Sequence, residues 1–340
     1  MATLTNTLHV PPTATRMARR ILRGIARGGG VVLALIAGLA LAGAAYEAIA
    51  ARGDAQTYPP PGQMVDVGGY RLHIHCVGTG SPTVVLDAGL SRTSLDWSLV
   101  QPVIGQTTRV CAYDRAGMGW SDPGPAPRTP ARIAGELHTL LGNAGIAGPY
   151  VLVGHSLAGK NIRLFALAHP AEVVGMVLVD ARGEYVDEHT SPAEAQAFQQ
   201  GLAQQGTIYG VARAVGLVRL IGASQDGTPA VPAATRLAMA LFTTGQRGIA
   251  TTTAEGQQRA ADDRQLQAAP GLGALPLIVL AAGQNMEQTP YWAEAQRQQA
   301  ALSTNGRLIV AAGSGHAIHL EQPALVIDAI QQVVTQARGN

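Results

Sequence analysis

The sequence predicts an α/β fold, a mainly parallel sheet of eight strands with helices on both faces and one helical insertion. Three observations carry this expectation. Short apolar runs of strand length alternate with longer segments at helical spacing. Of 340 residues, 47% are apolar and 14% charged, enough to bury a large core. Residues 184–270 break the alternation: they are rich in Ala, Gln and Thr and carry apolar residues at helical spacing but no strand signal.

The chain opens with a basic segment, residues 1–27, in which Arg16, Arg19, Arg20, Arg23 and Arg27 occur without an acid. That segment holds more positive charge than the whole chain's net +2, so no basic face remains for a nucleic-acid partner. From Gly28 to Tyr46 no residue is charged, and about 20 apolar residues suffice for a helix to cross the hydrocarbon layer. Residues 28–50 are therefore expected to be a transmembrane anchor or a cleaved signal. In the second case Ala48-Ile49-Ala50 is the small-residue cleavage site. The arginines before the apolar run place the N-terminus in the cytoplasm and the body outside, periplasmic or extracellular, or secreted after cleavage. Residues 51–63 read as a linker, with Asp54 to Gln63 (DAQTYPPPGQ) its Pro-rich part.

The core is expected in residues 64–183 and 271–340, with 184–270 as a helical cap. Strand signals fall at Val65–Val67, Tyr70–Val77, Thr83–Leu86, Arg109–Tyr113, Tyr150–Val153, Met176–Val179, Leu277–Leu280 and Leu308–Ala311. Helical signals fall at Thr129–Asn143, Lys160–Ala168, Tyr291–Leu302 and Pro323–Ala337. Alternation of this kind implies βαβ units. The two cysteines, Cys76 and Cys111, lie in strand runs without metal-ligand spacing. They are either buried thiols or, in an exported domain, one bridge.

The most informative segment is Tyr150–Asn161 (YVLVGHSLAGKN), which follows a strand and opens a helix. As G-x4-G-K it could be a phosphate loop, with Met176–Asp180 as the apolar strand and acid of a magnesium site. Asn161 stands where that loop needs a hydroxyl, and the segment follows several strands instead of the first. As a strand–turn–helix with Ser156 at its apex, it is a nucleophile elbow. Small residues flank the serine as a sharp turn requires, with Ala158 in the place usually held by Gly.

With the elbow, the chain resembles the α/β-hydrolase fold superfamily, specifically its capped serine esterase and lipase-like hydrolases. Asp114–Asp122 (DRAGMGWSD) is similar to that family's D-R-x-G-x-G-x-S loop. Gly313-Ser314-Gly315-His316 with Glu321-Gln322-Pro323 is similar to its C-terminal G-x-G-H…E-x-P. The resemblance covers about 64–183 and 271–337. It implies an ester-cleaving enzyme with Ser156 as nucleophile and His316, in the loop after the last strand, as base; His319 is the fallback. The acid usually follows the seventh strand, where this chain has Asn285, which carries no charge, and Glu287. Some members place it after strand six, where Asp180 stands, so Asp180 is the expected acid and Glu287 the alternative. The oxyanion is expected on the backbone N–H groups of Leu157 and Leu90, the latter in the Asp87-Ala88-Gly89-Leu90 turn. No cofactor and no metal is expected. The substrate is expected to be a small apolar ester, and the membrane is the other expected partner. Two alternatives remain: an inactive hydrolase-fold binding module and a nucleotide hydrolase built on the G-x4-G-K loop. Lys160, the sole lysine, could reach the cap or a carboxylate without a catalytic role.

Overall fold

The computed structural model describes residues 12–222 and 230–339. Eight strands form one sheet: β1 (Gln63–Asp66), β2 (Arg71–Val77), β3 (Thr83–Asp87), β4 (Val110–Tyr113), β5 (Tyr150–His155), β6 (Val173–Val179), β7 (Leu277–Ala282) and β8 (Gly306–Ala311). Their spatial order is β1-β2-β4-β3-β5-β6-β7-β8. β1–β2 and β2–β4 are antiparallel, and every other pairing is parallel. This is the mainly parallel eight-stranded α/β-hydrolase sheet that the motifs implied. The central strands are buried along their whole length, β3 as TVVLD and β5 as YVLVGH. A strand covered on both faces reads as such a continuous run.

One face is covered by α3 (Pro130–Asn143) and α4 (Ala158–Ala168), whose Leu137, Leu140, Ile162 and Phe165 pack with Leu152 and Leu178. The short α2 (Gln101–Ile104) and the C-terminal α14 (Pro323–Gly339) cover the other, with Ile104, Val326, Ile330 and Val333 against Val84, Val153 and Val177. Each such side chain contributes about 1.5–3 kcal/mol by leaving water. α3 begins where Pro130 follows Thr129, whose hydroxyl accepts the Arg132 N–H at 3.2 Å.

Between β6 and β7 the chain runs through α5 (Glu184–Glu188), α6 (Pro192–Ala214), α7 (Leu217–Ile221), α8 (Ala233–Thr244), α9 (Gln246–Gln257) and α10 (Asp263–Gln267). The described residues of this insertion contain no strand. α6 opens on a capping box, with Ser191 accepting from the Glu194 N–H and Glu194 accepting from the Ser191 N–H. After β7 come α11 (Gly283–Gln288) and α12 (Pro290–Ala300), and after β8 the short α13 (Ile318–Glu321).

Two readings of the sequence change. The apolar run lies within one helix, α1 (Pro12–Thr57), which continues through residues expected to belong to the linker. The free connection is thus only Tyr58–Gly62, starting where PPPG forbids further helix. The cause lies far away in sequence. Glu47, buried, accepts from Arg213 at 2.6 Å and Arg219 at 2.5 Å, and Asp54 accepts from Arg219 at 2.6 Å. From Arg19 to Thr57 the helix is long and apolar enough to cross a membrane, and none of its apolar window is buried. The cysteines also resolve. Cys76 stands opposite Cys111 in the β2–β4 register, and the two form a disulfide.

Candidate active site

Ser156 sits immediately after β5 with φ +54°, in the left-handed region that costs a side-chain-bearing residue about 1–3 kcal/mol. The turn is pinned from both sides: the Ser156 N–H donates to the Val179 carbonyl at 3.1 Å, and the Arg182 N–H donates to the Ser156 carbonyl at 3.0 Å. Its tightness explains the small neighbours. A Cβ on Gly154 would come within 2.9 Å of the Ala158 backbone, and one on Gly159 within 2.5 Å of the Ala181 methyl.

The loop after β8 brings His316 to this apex, with Nε2 at 2.8 Å from the Ser156 hydroxyl. Its other nitrogen, Nδ1, lies 2.6 Å from Oδ2 of Asp180. Asp180 immediately follows β6, is wholly buried and also has positive φ, +42°. Its Oδ1 accepts from the Ala282 N–H at 2.9 Å and from Trp292 Nε1 at 2.8 Å; its Oδ2 accepts from Asn285 Nδ2 at 2.5 Å. The structure thus brings Ser156, His316 and Asp180 together in line. Glu287, the alternative acid, lies exposed on α11, and the Nδ1 side of His316 is occupied by Asp180 instead. Trp292 was not legible as part of the site, and Asn285, noted at the usual acid position for its lack of charge, was not legible as a donor. Each contributes only a donor to a carboxylate more than 100 positions away, and no local pattern announces that.

The fallback His319 does not take the place of His316. It is buried on α13 against the Trp97 ring at 4.8 Å and the His155 ring at 4.4 Å, and among the described residues neither of its nitrogens has a hydrogen-bond partner. Burial pushes its pKa, and that of His155, well below the ordinary histidine value, so both rings are neutral. His155 points away from the serine, with Nε2 at 3.0 Å from the His316 carbonyl, and so fixes the histidine loop.

The two residues expected to supply the oxyanion donors border one cavity. Leu90 and Leu157 both line the pocket beside Ser156 and His316. Gly89 permits this approach: a Cβ there would stand 2.7 Å from His155 Nδ1 and 3.0 Å from Ser156 Cβ. The next residue, Ser91, has φ +61°. Among the described residues Ser91, Ser156 and Asp180 are the non-glycine residues with positive φ, and all three lie at this site.

Arg115, in the loop resembling D-R-x-G-x-G-x-S, holds the turn in place. Buried, it donates to the Gly89 carbonyl at 2.8 Å, to the Ala88 carbonyl, and to Asp87 at 2.9 Å. Its remaining donors form a bidentate pair with Glu255 of α9, both at 2.9 Å. Burial opposes its charge, but Glu255 and Asp87 outweigh that and raise its pKa further. The sequence flagged the motif; the link to α9, 140 positions on, was out of its reach.

A cavity of about 290 Å³ opens onto Ser156. Leu157, Phe198, Leu202 and Trp292 form its apolar wall, while Arg182 and Arg259 make one side cationic. Both guanidinium groups bond Asp187, at 2.7 Å and 3.1 Å. Lys160 is buried beneath and donates to Asp187 at 2.7 Å, to the Arg259 carbonyl at 2.9 Å and to Asp263. All three ammonium donors are thereby engaged in docking α5 and α10, which leaves none for a phosphate. Among the described residues one group, His138, His169 and Glu172, could hold a metal ion. It lies half-exposed where β6 begins, at the opposite end of the strands from Ser156, with Glu172 paired to His138 at 3.2 Å.

The match to the alpha/beta hydrolase family model spans residues 72–329. The chain belongs to that family. Among curated relatives of this α/β hydrolase, an uncharacterized protein of Schizosaccharomyces pombe is 29% identical over 72% of this chain and 50% of its own length. An uncharacterized vacuolar membrane protein of Saccharomyces cerevisiae is 32% identical over 33% of this chain and 20% of its own. The chain therefore spans half or less of these relatives. Among solved structures, a thermophilic esterase from Thermogutta terrifontis superposes with TM-score 0.62 at 20% identity, covering 81% of this chain and 98% of that one. Est816, an N-acyl homoserine lactone degrading enzyme, has TM-score 0.58 at 20% identity, covering 79% and 99%. At these identities the likeness is one of fold.

Proposed function

We propose that this chain is a membrane-anchored serine hydrolase that cleaves carboxylic esters. The observation that carries the reading is the hydrogen-bonded line from Ser156 Oγ through His316 to Asp180, with the serine on a strained turn. His316 Nε2 takes the Ser156 proton as the oxygen attacks the ester carbonyl carbon. The electron pair of the carbonyl moves to its oxygen, which the N–H groups of Leu157 and Leu90 receive. Asp180 holds Nδ1–H and so keeps Nε2 free to accept. The intermediate collapses, the alcohol leaves with the proton from His316, and Ser156 carries the acyl group. Water, deprotonated by His316, then attacks that acyl carbon, and the acid is released with the serine restored. The helices between β6 and β7 act as the cap.

The apolar wall and the cavity of about 290 Å³ favour a small or medium acyl group. α1 supplies the anchor, and the Cys76–Cys111 bridge favours an oxidising compartment outside the cytoplasm. The nucleotide-hydrolase alternative loses its support, because Lys160 is saturated by Asp187, Asp263 and a carbonyl.

The test is hydrolysis of p-nitrophenyl butyrate by the full chain in detergent micelles. Turnover that vanishes in Ser156→Ala supports the reading. Equal rates in both proteins would reject it, and no turnover in either would favour the binding-module alternative.

A further inference from the structure

We infer that the α6–α7 corner of the insertion is seated in the bilayer surface, so that the Ser156 pocket takes its ester from the membrane. This rests on the proposed anchoring by α1. The uncharged stretch Gly28–Tyr46 spans about 28 Å at 1.5 Å per residue, against a hydrocarbon layer of about 30 Å. Its last residues therefore lie at the membrane boundary. The insertion meets the helix at that level. A Cβ on Gly43 would overlap the Val215 carbonyl, and one on Gly216 would stand 2.7 Å from the Gly43 carbonyl. One turn further on, the ion pairs of Glu47 with Arg213 and Arg219 lock the corner to the helix.

The surface presented there is apolar. Val211 is 61%, Leu220 70% and Ile221 65% exposed. A soluble face gains nothing from such a cluster, whereas at the headgroup boundary each side chain leaves water. Behind the patch lies an apolar hollow of about 250 Å³, bordered by Ile208, Leu217 and Ile221. Tyr209 and Thr243 border both this hollow and a narrow neck, and Leu202, Gln205 and Thr252 border both that neck and the Ser156 pocket. The three spaces thus follow one another along α6, and the neck, about 10 Å³, must widen for an acyl chain to pass from lipid to nucleophile. The substrate class that fits is an ester dissolved in the bilayer through an acyl chain.

The experiment reconstitutes the full chain in phosphatidylcholine vesicles, with Leu220→Trp as depth probe and Gln332→Trp on α14 as a control outside the patch. Flotation with the vesicles reports the anchor. Quenching of the Leu220→Trp emission by brominated acyl chains, severalfold stronger than for the control, is expected. In parallel, Leu220→Asp/Ile221→Asp should lower the ratio of vesicle-borne p-nitrophenyl decanoate to soluble p-nitrophenyl acetate hydrolysis at least tenfold. A chain that floats but shows equal quenching and an unchanged ratio overturns the inference alone. A chain that does not float overturns the anchor and the inference with it.

Discussion

Replacing Asp180 by Asn keeps the shape of the site and removes one charge. In the native protein four donors converge on this buried carboxylate, from Ala282, Trp292, Asn285 and His316. An amide can accept at one atom only. The Ala282 and Trp292 donors share Oδ1, which fixes the carbonyl oxygen of Asn there and turns its NH2 group towards His316. Nδ1 must then become an acceptor, so the imidazole proton moves to Nε2, the atom that faces Ser156 at 2.8 Å. The base is lost to the wrong tautomer, and no anion supports the imidazolium. Such a change is worth about four decades in kcat, or roughly 5 kcal/mol. The assay is p-nitrophenyl butyrate turnover by the full chain in micelles, with Glu287→Gln beside it and thermal unfolding to confirm that both variants fold. The reasoning fails if a folded Asp180→Asn loses less than tenfold, or if Glu287→Gln loses more.

Three further outcomes follow from the same geometry. Gly89→Ala places a methyl 3.0 Å from Ser156 Cβ and displaces the Leu90 donor, so kcat should fall about 100-fold with KM little changed; steady-state kinetics showing a pure KM effect would contradict this. Glu255→Gln leaves the buried Arg115 with Asp87 as its remaining charged partner and should cost about 1.5–3 kcal/mol in denaturant unfolding, whereas a loss under about 0.5 kcal/mol would show that the pair does not hold α9. For Asp187, burial raises the carboxyl pKa, but Arg182 and Lys160 outweigh it and hold it at about 2, against 3.8 in the unfolded chain. A depressed carboxyl stabilises above its unfolded value and loses that contribution as pH falls, here about 2 kcal/mol between pH 4 and 2. Asp263, on the same ammonium, is shifted the opposite way by burial, so the Asp187 contribution is read as a difference. Unfolding midpoints of wild type should fall more steeply than those of Asp187→Asn over that range; parallel curves would refute it.

Much of this could be read along the chain, because the features concerned are local. Period and burial gave each strand to within a few residues, since a central parallel strand must be apolar at every position, as in VVGMVLV of β6. Small residues around Ser156 signalled the turn, and Asp180 follows β6 where the structure brings it to His316. What could not be read is set by contacts between distant positions. Helix α1 overruns the expected linker because Arg213 and Arg219 reach Glu47 and Asp54 from the insertion. Lys160 looked like a phosphate ligand by spacing, and only the positions of Asp187 and Asp263 show it docking the insertion. The cysteine pairing depended on the β2–β4 register, which places Cys76 opposite Cys111.

The central claim is that Ser156 is an activated nucleophile. The most direct measurement is the intact mass and peptide map of the full chain after brief exposure to a fluorophosphonate, which bonds a serine oxygen only where a base removes its proton. The account predicts one adduct per chain, on the peptide carrying Ser156, absent from Ser156→Ala and strongly slowed in His316→Ala. An unmodified wild-type chain, or an adduct on another residue that persists in Ser156→Ala, would contradict it.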